Sequence, residues 1–305
     1  MEAGRDGFAP HRWLEHYKIP SIVIDPASLE VNRHFRRAKT DRLDAEKLVS
    51  SLIRFEVLGE RCWRVCYVPS EADMDRRQIT REREELVRER TRLINKIKGK
   101  LASIGISGLQ VGKDFLARLS LALDPRGLPV PPNLRGCLER IYKRLTLVRT
   151  QIKTLEQTLK DGIKMAPVDR TDPDFKIDLL QSLKGIGMVT ASTLVHEFFG
   201  WRKFNNRKEV GSAAGLTPTP YNTGKSDREQ GISKAGSARV RRVMIEAAWS
   251  WLRYQPQSAL SVWFNAKFGQ GRRKKGIVAL ARKLLIELWH FVEQGVLPRG
   301  ALERL

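Results

Sequence analysis

The stretch that decides the fold of this chain begins with LKGIGMVTA at residues 183–191. Apolar residues on both sides of two closely spaced glycines predict two helices joined by a tight turn, which is the pattern of a helix-hairpin-helix motif. Glycines let another backbone approach closely, and the free N–H groups at the start of the second helix attract an anion such as a DNA phosphate. A plain αα-hairpin fits the same pattern. The candidate DNA contacts in this turn are Lys184, Gly185 and Gly187.

A loop rich in hydroxyl side chains is predicted next, from Thr217 to Ser233. It contains the motifs GLTP at 215–218, YNTGKS at 221–226 and GISKAG at 231–236. A helix predicted over residues 234–254 follows directly, with an apolar face that is typical of a core helix. The basic residues at the start of this helix are candidate DNA contacts, namely Lys234, Arg239, Arg241 and Arg242.

The chemistry predicted for this loop is attack on phosphorus. A hydroxyl near a helix N-terminus and beside guanidinium groups is well placed for it, because both stabilise charge on the phosphoryl oxygens. The candidate nucleophiles are Thr223, Ser226 and Ser233. Taken by itself, Ser233 is better explained as the N-cap of the following helix.

The ordered series of turn, loop, Ser-Lys-x-Gly element and arginine-rich helix resembles the C-terminal domain of bacterial insertion-sequence transposases of the IS116/IS110/IS902 type. The resemblance implies a serine of this domain as a covalent nucleophile that works with metal-bound acids of another domain. Thr223 stands where these transposases usually have a serine before a glycine. Threonine is a more hindered nucleophile, so the substitution predicts weakened or absent catalysis.

The same resemblance implies a RuvC-like N-terminal domain with an RNase H-like fold and four acids that hold Mg²⁺. Glu2 matches the second acid, and Asp41 and Asp44 match the last two. Asp41 and Asp44 are three residues apart, so on a helix they share one face and can share a divalent cation. On the residues alone, capping of the helix start is the favoured explanation of two acids in its first turn, and it is the resemblance that favours a metal site.

The N-terminus departs from the family pattern, because the strand that carries the first acid would lie upstream of Glu2. We therefore expect an N-terminal truncation. The only strand evident in this region is predicted at residues 21–25, and it ends at Pro26. A lone strand with an uncovered edge does not make a stable sheet, so residues 1–70 are expected to be poorly folded.

Composition points to a nucleic-acid partner. The 305 residues include 56 Lys and Arg against 34 Asp and Glu, a formal net charge of +22. Such an excess attracts a polyanion, but charge does not distinguish DNA from RNA. No apolar stretch reaches the roughly 20 residues of a membrane span, and no signal peptide is evident, so we expect a cytoplasmic protein. The three cysteines have no zinc spacing.

Two long helical segments are predicted between the N-terminal region and the hydroxyl loop. The first runs from residue 71 to about residue 100, and residues 105–132, rich in Gly and Pro, follow it. The second has an a/d heptad seam formed by Leu134, Leu138, Ile141, Leu145, Val148, Ile152, Leu155 and Leu159. This pattern predicts an antiparallel coiled-coil hairpin, and its second arm is apolar enough to recruit another copy, which predicts a homo-oligomer.

The predicted fold is therefore mostly α and has three parts. Residues 1–70 form an incomplete α/β RNase H-like fragment, residues 71–166 the coiled-coil hairpin, and residues 167–305 an all-α domain with the helix-hairpin-helix motif. A basic cluster before the last helix extends the predicted phosphate-binding surface and consists of Arg272, Arg273, Lys274 and Lys275.

The predicted function is cutting and rejoining of DNA strands by a transposase, or by an inactive remnant of one. The resemblance further implies an element-encoded guide RNA as a partner. The alternative is a non-catalytic nucleic-acid-binding protein in which the acids and hydroxyls are structural. A third hypothesis, a coiled-coil scaffold, predicts DNA affinity that hardly responds to salt.

Overall fold

The computed structural model describes residues 1–3, 7–29, 41–60, 62–165, 169–223, 226–269, 271 and 273–304. Within these ranges, the side chains of residues 27, 41, 43, 44, 220–223 and 226–230 are not described. The chain divides into two compact units, Met1–Ser70 and Glu71–Leu305. Each unit is described by itself below, and the boundary predicted at residue 166 stays a prediction.

The first unit is built around Ile24, whose backbone is paired on both sides. Glu2 forms a parallel bridge with Ile24, and Val65 forms an antiparallel one. The amide of Ala3 donates to the carbonyl of Ile24 at 2.7 Å, and Val23 and Ile24 are each 1% exposed. The prediction of a lone strand with uncovered edges was therefore wrong, because the chain before and after it supplies its neighbours.

Two helices accompany these bridges. Helix α1 spans Phe8–His16, and α2 spans Asp41–Leu58. A single 3-10 turn lies at Pro26–Ser28. Isolated bridges are not an extended sheet, so the RNase H-like fold stays a prediction.

The second unit begins with two long helices, α3 (Glu71–Ala102) and α5 (Pro132–Lys164), and a short helix α4 (Phe115–Leu121) lies between them. Arg83 in the first half of α3 binds Glu156 near the end of α5 at 2.6 Å, so the two helices run antiparallel. The apolar stripe predicted on α5 is buried, as shown by Leu138, Ile141, Leu145, Val148, Ile152 and Leu159. A coiled coil in the strict sense stays a prediction.

The remaining helices enclose the largest core of the unit. They are α6 (Pro173–Gln181), α7 (Met188–Leu194) with a π-helical continuation (Val195–Phe199), α8 (Arg207–Ala213), α9 (Ala238–Tyr254), α10 (Ala259–Phe268) and α11 (Arg273–Gln294). Trp251 of α9 and Leu284 of α11 are completely buried in this core. In the described part of the chain, none of the helices has the length and apolarity that crossing a membrane requires.

The mostly helical fold is confirmed, but the prediction that residues 167–305 are all-α was wrong. The hydroxyl-rich segment forms an antiparallel β-hairpin of β1 (Pro218–Thr223) and β2 (Ser226–Ile232). Prolines and the absence of apolar alternation concealed these strands. The signal that was missed is the Gly-Lys pair between two strand-length segments, a spacing typical of two-residue hairpin turns.

Candidate active site

The base of the hairpin is fixed by two loops in close contact, residues 213–217 and 233–237, which we call the hairpin base. The amide of Lys234 donates to the carbonyl of Gly215 at 3.2 Å, and the amide of Ser237 donates to the carbonyl of Ala213 at 3.0 Å. Gly236 has a φ of 130°, and a Cβ there would lie 2.3 Å from the carbonyl oxygen of Ala213. The contact therefore requires glycine at this position.

Ser233 lies in the hairpin base and its hydroxyl is engaged. It accepts a hydrogen bond from the hydroxyl of Thr217 at 3.3 Å, and its amide donates to the carbonyl of Thr217 at 2.8 Å. The alternative that Ser233 caps the next helix was wrong, because α9 begins at Ala238 and its N-cap is Ser237, which accepts from the amide of Val240.

Thr223 and Ser226 lie at the opposite end of the hairpin, where they are paired across the two strands. Their side chains, and residues 224 and 225 between them, fall outside the described part of the structure. The seven residues of β2, at about 3.3 Å each, separate this tip from the base by roughly 20 Å. The three candidate hydroxyls therefore form two separate groups and do not reach one phosphate together.

Two of the arginines predicted to bind DNA form ion pairs within the chain. Arg239 donates to Glu84 of α3 at 2.8 Å, and Arg242 lies 2.9 Å from the other oxygen of the same carboxylate. Burial acts to raise the pKa of Glu84, but the hydrogen bonds from both guanidinium groups outweigh it and hold that pKa below its ordinary value. Contact of either arginine with DNA requires competition with Glu84.

Arg241, the third predicted arginine, supports the hairpin base. Its Nη1 atom donates to the carbonyl of Ala214 at 3.2 Å and to that of Lys234 at 3.1 Å. A Cβ at position 215 would lie 2.5 Å from this nitrogen, so Gly215 leaves room for the guanidinium. Lys234 itself is exposed, and its φ is 56°.

A second acid, Glu197 in the π-helical segment, is buried beside the same helices. Its side chain is only 3% exposed. It accepts hydrogen bonds from Arg77 at 2.9 Å and from Arg81 at 2.6 Å, both on α3. Burial favours protonation, yet the bond from Arg81 and the charge of Arg77 outweigh it and lower the pKa of Glu197. Glu84 and Glu197 thus join α3 to the C-terminal helices.

The predicted helix-hairpin-helix turn packs against the C-terminal helices. The hydroxyl of Ser250 donates to the carbonyl of Gly185 at 2.8 Å, and the side-chain amide of Gln255 donates to the carbonyl of Lys184 at 2.9 Å. Gly185 has a φ of 93°, which favours glycine. Gly187 precedes α7 and supplies no side-chain cap. The DNA-binding role of this turn stays a prediction.

The basic cluster at the start of α11 faces solvent. Arg273, Lys274 and Lys275 are exposed, and Arg273 lies 5.8 Å from the centre of the Phe264 ring. Arg272 lies outside the described residues. This cluster is therefore available to a polyanion, unlike Arg239 and Arg242.

A metal site is not evident in the described residues, which contain no group of three potential His, Cys, Asp or Glu ligands. Glu2 is exposed beside the bridge to Ile24. Asp41 and Asp44 lie in the first turn of α2, but their side chains are outside the description. We therefore derive no chemical step through a metal ion.

Two kinds of residue were missed in the sequence. Glu84 and Glu197 carried no local signal, because their arginine partners come from segments as far as 155 residues away. Arg282 of α11 was also overlooked, although it lies beside Gly211 and Thr217 near the hairpin base. The sequence did contain a signal, because Arg282 interrupts the apolar middle of α11.

Two protein-family models match the chain. A model described as the transposase IS116/IS110/IS902 family matches residues 177–262, and a model of the DEDD transposases of IS110 matches residues 2–106. The first covers the whole hairpin and all of α9. The second covers residues 2–70 of the first unit and all of α3.

Individual relatives are similar along most of the chain. A putative transposase, y4rJ, of Sinorhizobium fredii is 43% identical over 99% of this chain and 78% of its own length. The transposase of insertion sequence IS1111A of Coxiella burnetii is 26% identical over 89% of this chain and 71% of its own. The transposase of insertion sequence IS1328 of Yersinia enterocolitica is 30% identical over 71% of this chain and 62% of its own length. Because the first of these aligns with nearly the whole chain, the expected truncation is not supported.

Proposed function

Because this chain belongs to the IS116/IS110/IS902 family of transposases, we propose that it cuts and rejoins DNA strands through a hydroxyl at the tip of the β1–β2 hairpin. Thr223 is the first candidate for the nucleophile, and Ser226, its partner across the strands, is the second. Ser233 has a structural role in the hairpin base.

The observation that carries this proposal is the separation of the candidate hydroxyls. Thr223 and Ser226 are paired at the tip, and a hairpin tip reaches away from its supporting helices. Ser233 is held in the base by Thr217, between glycines that permit close backbone contact. A nucleophile must approach phosphorus closely and in line with the leaving oxygen. The tip suits that requirement better than a close-packed loop.

The chemistry proposed is an exchange of one phosphate ester for another. The hydroxyl oxygen attacks the phosphorus of a phosphodiester, an ester bond forms between the side chain and DNA, and the bond to one DNA oxygen breaks. The hydroxyl proton ends on that leaving oxygen. A DNA hydroxyl then attacks the protein–DNA ester and restores the side chain. The number of ester bonds is unchanged, so no external energy source is needed.

Binding of the DNA is proposed to depend on exposed basic residues around the hairpin and α11. Lys234, Arg273, Lys274 and Lys275 are exposed, and contacts with phosphates supply affinity that is independent of sequence and falls with salt. Arg239 and Arg242 contribute mainly by fixing α9 to α3 through Glu84. We thus propose that the exposed cations bind DNA and that the paired arginines stabilise the fold, instead of all of them forming one DNA-binding surface.

Other parts of the prediction rest on the family resemblance alone. A Mg²⁺ ion, when bound by acids such as Glu2, Asp41 and Asp44, would stabilise charge on the phosphoryl oxygens. The guide RNA and the homo-oligomer find no support in the comparisons. The proposal about the hairpin tip does not depend on the Mg²⁺ ion, the guide RNA or the homo-oligomer.

Strand cleavage by the purified chain tests the proposal. Labelled duplex DNA carrying the ends of the encoding element is incubated with Mg²⁺ and the protein. We expect Thr223→Ala to abolish cleavage, or Ser226→Ala to do so if Ser226 is the nucleophile. Ser233→Ala is the matched control because it removes the same kind of hydroxyl at the base, and we expect it to cleave.

Two outcomes would contradict the proposal. Loss of cleavage only in Ser233→Ala would move the nucleophile to the hairpin base. A wild-type chain that binds DNA but never cleaves it would favour the alternative function, a nucleic-acid-binding protein without catalysis. The threonine at position 223 also favours this alternative.

A further inference from the structure

Arg282 differs from Arg239, Arg241 and Arg242, the arginines described above. It projects from α11 towards α8, where a Cβ on Gly211 would lie 3.0 Å from its Nε atom and 3.6 Å from the methyl carbon of Thr217. Arg282 and Thr217 therefore border the same small space. Thr217 in turn donates to the hydroxyl of Ser233, so both hydroxyl residues lie on the side of the hairpin base that Arg282 approaches.

The guanidinium of Arg282 has no acidic partner among the described residues. Its Nε atom is buried and finds no hydrogen-bond partner in the part of the chain that the structure describes. By contrast, Arg239 and Arg242 are bound to Glu84, and Arg241 is bound to backbone carbonyls. A buried donor without a partner destabilises the folded chain, and an acceptor that reached it would remove this cost.

We propose that Arg282, together with the hydroxyl of Ser233, binds a phosphate of the DNA backbone at the hairpin base. The planar guanidinium offers several N–H donors in a fixed fork, a geometry that suits phosphate oxygens. The Ser233 oxygen accepts from Thr217, so its own O–H is left to donate to an anion. The site therefore presents donors from helix α11 and from the loop that carries Ser233 to one oxygen-rich anion.

The surroundings of Arg282 favour a nucleic-acid backbone over a small free anion. Lys275 lies two helical turns before Arg282 on α11, on the same face, and it is exposed. This face leads from the basic cluster at the start of α11 to the hairpin base. A strand that follows it would have one phosphate at Arg282 and further phosphates at the cluster, while the hairpin reaches towards a distant phosphodiester.

This inference rests on the proposed function, because it assumes that the hairpin works on DNA. The Arg282 site would hold the strand that flanks the linkage presented to Thr223. Arg282 is therefore a binding and positioning residue, and the reacting atoms lie elsewhere.

Equilibrium binding of mixed-sequence duplex DNA over a series of salt concentrations tests the site. We expect Arg282→Gln to weaken binding roughly tenfold, since a hydrogen bond to a charged group is worth about 1.5–3 kcal/mol. The slope of log K against log salt should become shallower by about 0.9, the loss of one phosphate contact. Lys283→Gln is the matched control, because Lys283 is an exposed cation that stacks on Trp263 at 4.7 Å.

Arg282→Lys keeps the aliphatic part and the charge of the side chain but lacks the planar guanidinium. This variant tests the site if Arg282→Gln does not fold. We expect this variant to bind a few-fold more weakly than wild type with an unchanged salt slope. Folded Arg282 variants that match wild type in both affinity and slope would overturn the site. A wild-type chain without affinity for DNA would instead contradict the proposed function itself.

Discussion

The interface between α3 and α9 and the β1–β2 hairpin use their polar groups in opposite ways. At the interface, Glu197 binds Arg77 and Arg81. Glu84 binds Arg239 and Arg242 of α9 and also Arg88 of its own helix. At the hairpin, close glycine contacts fix the base, the candidate hydroxyls lie at the tip, and Arg282 beside the base has no acidic partner in the described chain. A high count of basic residues therefore does not by itself locate the DNA-binding surface.

The largest effect is expected at the interface, from Glu197→Gln. This change removes the charge that balances Arg77 and Arg81, and breaking a buried pair costs about 3–5 kcal/mol. Urea unfolding followed by circular dichroism measures the loss. Glu139→Gln is the control, because Glu139 pairs with Arg135 on the exposed surface of α5, and such pairs contribute under about 1 kcal/mol. Equal losses in the two variants would refute a structural role for the buried acid.

A pH dependence of stability is expected from His196, next to Glu197. Burial, assisted by the charge of Arg76 and opposed by that of Glu197, lowers the pKa of His196 from 6.5 to about 4. The unfolded chain therefore binds more protons than the folded one between these values, and stability falls as the pH drops from 6.5 to 4. The loss amounts to about 3 kcal/mol.

Unfolding free energies of wild type and His196→Phe at several pH values check this expectation. The variant should lose little stability between pH 6.5 and pH 4, while wild type loses much. Glu84 and Glu197 act in a lower window: since their pKa values are below the ordinary 4.5, their contributions are present above pH 4.5 and disappear as the pH falls further. Parallel curves for the two proteins would show that His196 does not contribute.

The hairpin base is expected to respond to Gly236→Ala. The new Cβ would meet the carbonyl oxygen of Ala213 at 2.3 Å, and we expect a loss of about 2–3 kcal/mol. Gly231→Ala is the matched control, since Gly231 also has a positive φ of 91° but nothing lies within 4 Å of its added Cβ. If the thermal unfolding temperature falls equally in both variants, backbone strain is responsible and not the close contact with the carbonyl oxygen of Ala213.

The smallest effect is expected from Arg242→Gln. Its side chain is 49% exposed in the pair with Glu84, so stability should fall by less than about 1 kcal/mol. Because Glu84 engages this guanidinium, the salt slope of DNA binding should stay at the wild-type value. A slope shallower by about 0.9 would show that Arg242 contacts a phosphate, as the sequence alone predicted.

Much of the helical framework could be predicted because it depends on local patterns. The apolar heptads of α5 and the spacing of Val240 and Met244 on α9 identified buried faces that the structure confirms. Family resemblance identified the transposase through the motifs around Gly215 and Ser233. The helix caps were predicted less well, since the N-cap of α9 is Ser237 and not Ser233.

The ion pairs and the hairpin base could not be predicted, because they depend on contacts between distant segments. The partners Glu84 and Arg239 are 155 residues apart, and no periodicity connects them. The same holds for Arg282, which approaches Gly211 only through the packing of α11 on α8. Charge patterns indicated a polyanion partner but not which cations remain free after folding.

The most direct test of the central claim is to identify the residue that becomes covalently attached to DNA. The protein is incubated with duplex carrying the element ends, the adduct is isolated and digested, and the modified residue is located by mass spectrometry. A nucleotide on Thr223 or Ser226 is expected, and in Ser233→Ala the adduct should still form on that same residue. A nucleotide on Ser233, or on any residue outside the hairpin tip, would contradict this expectation.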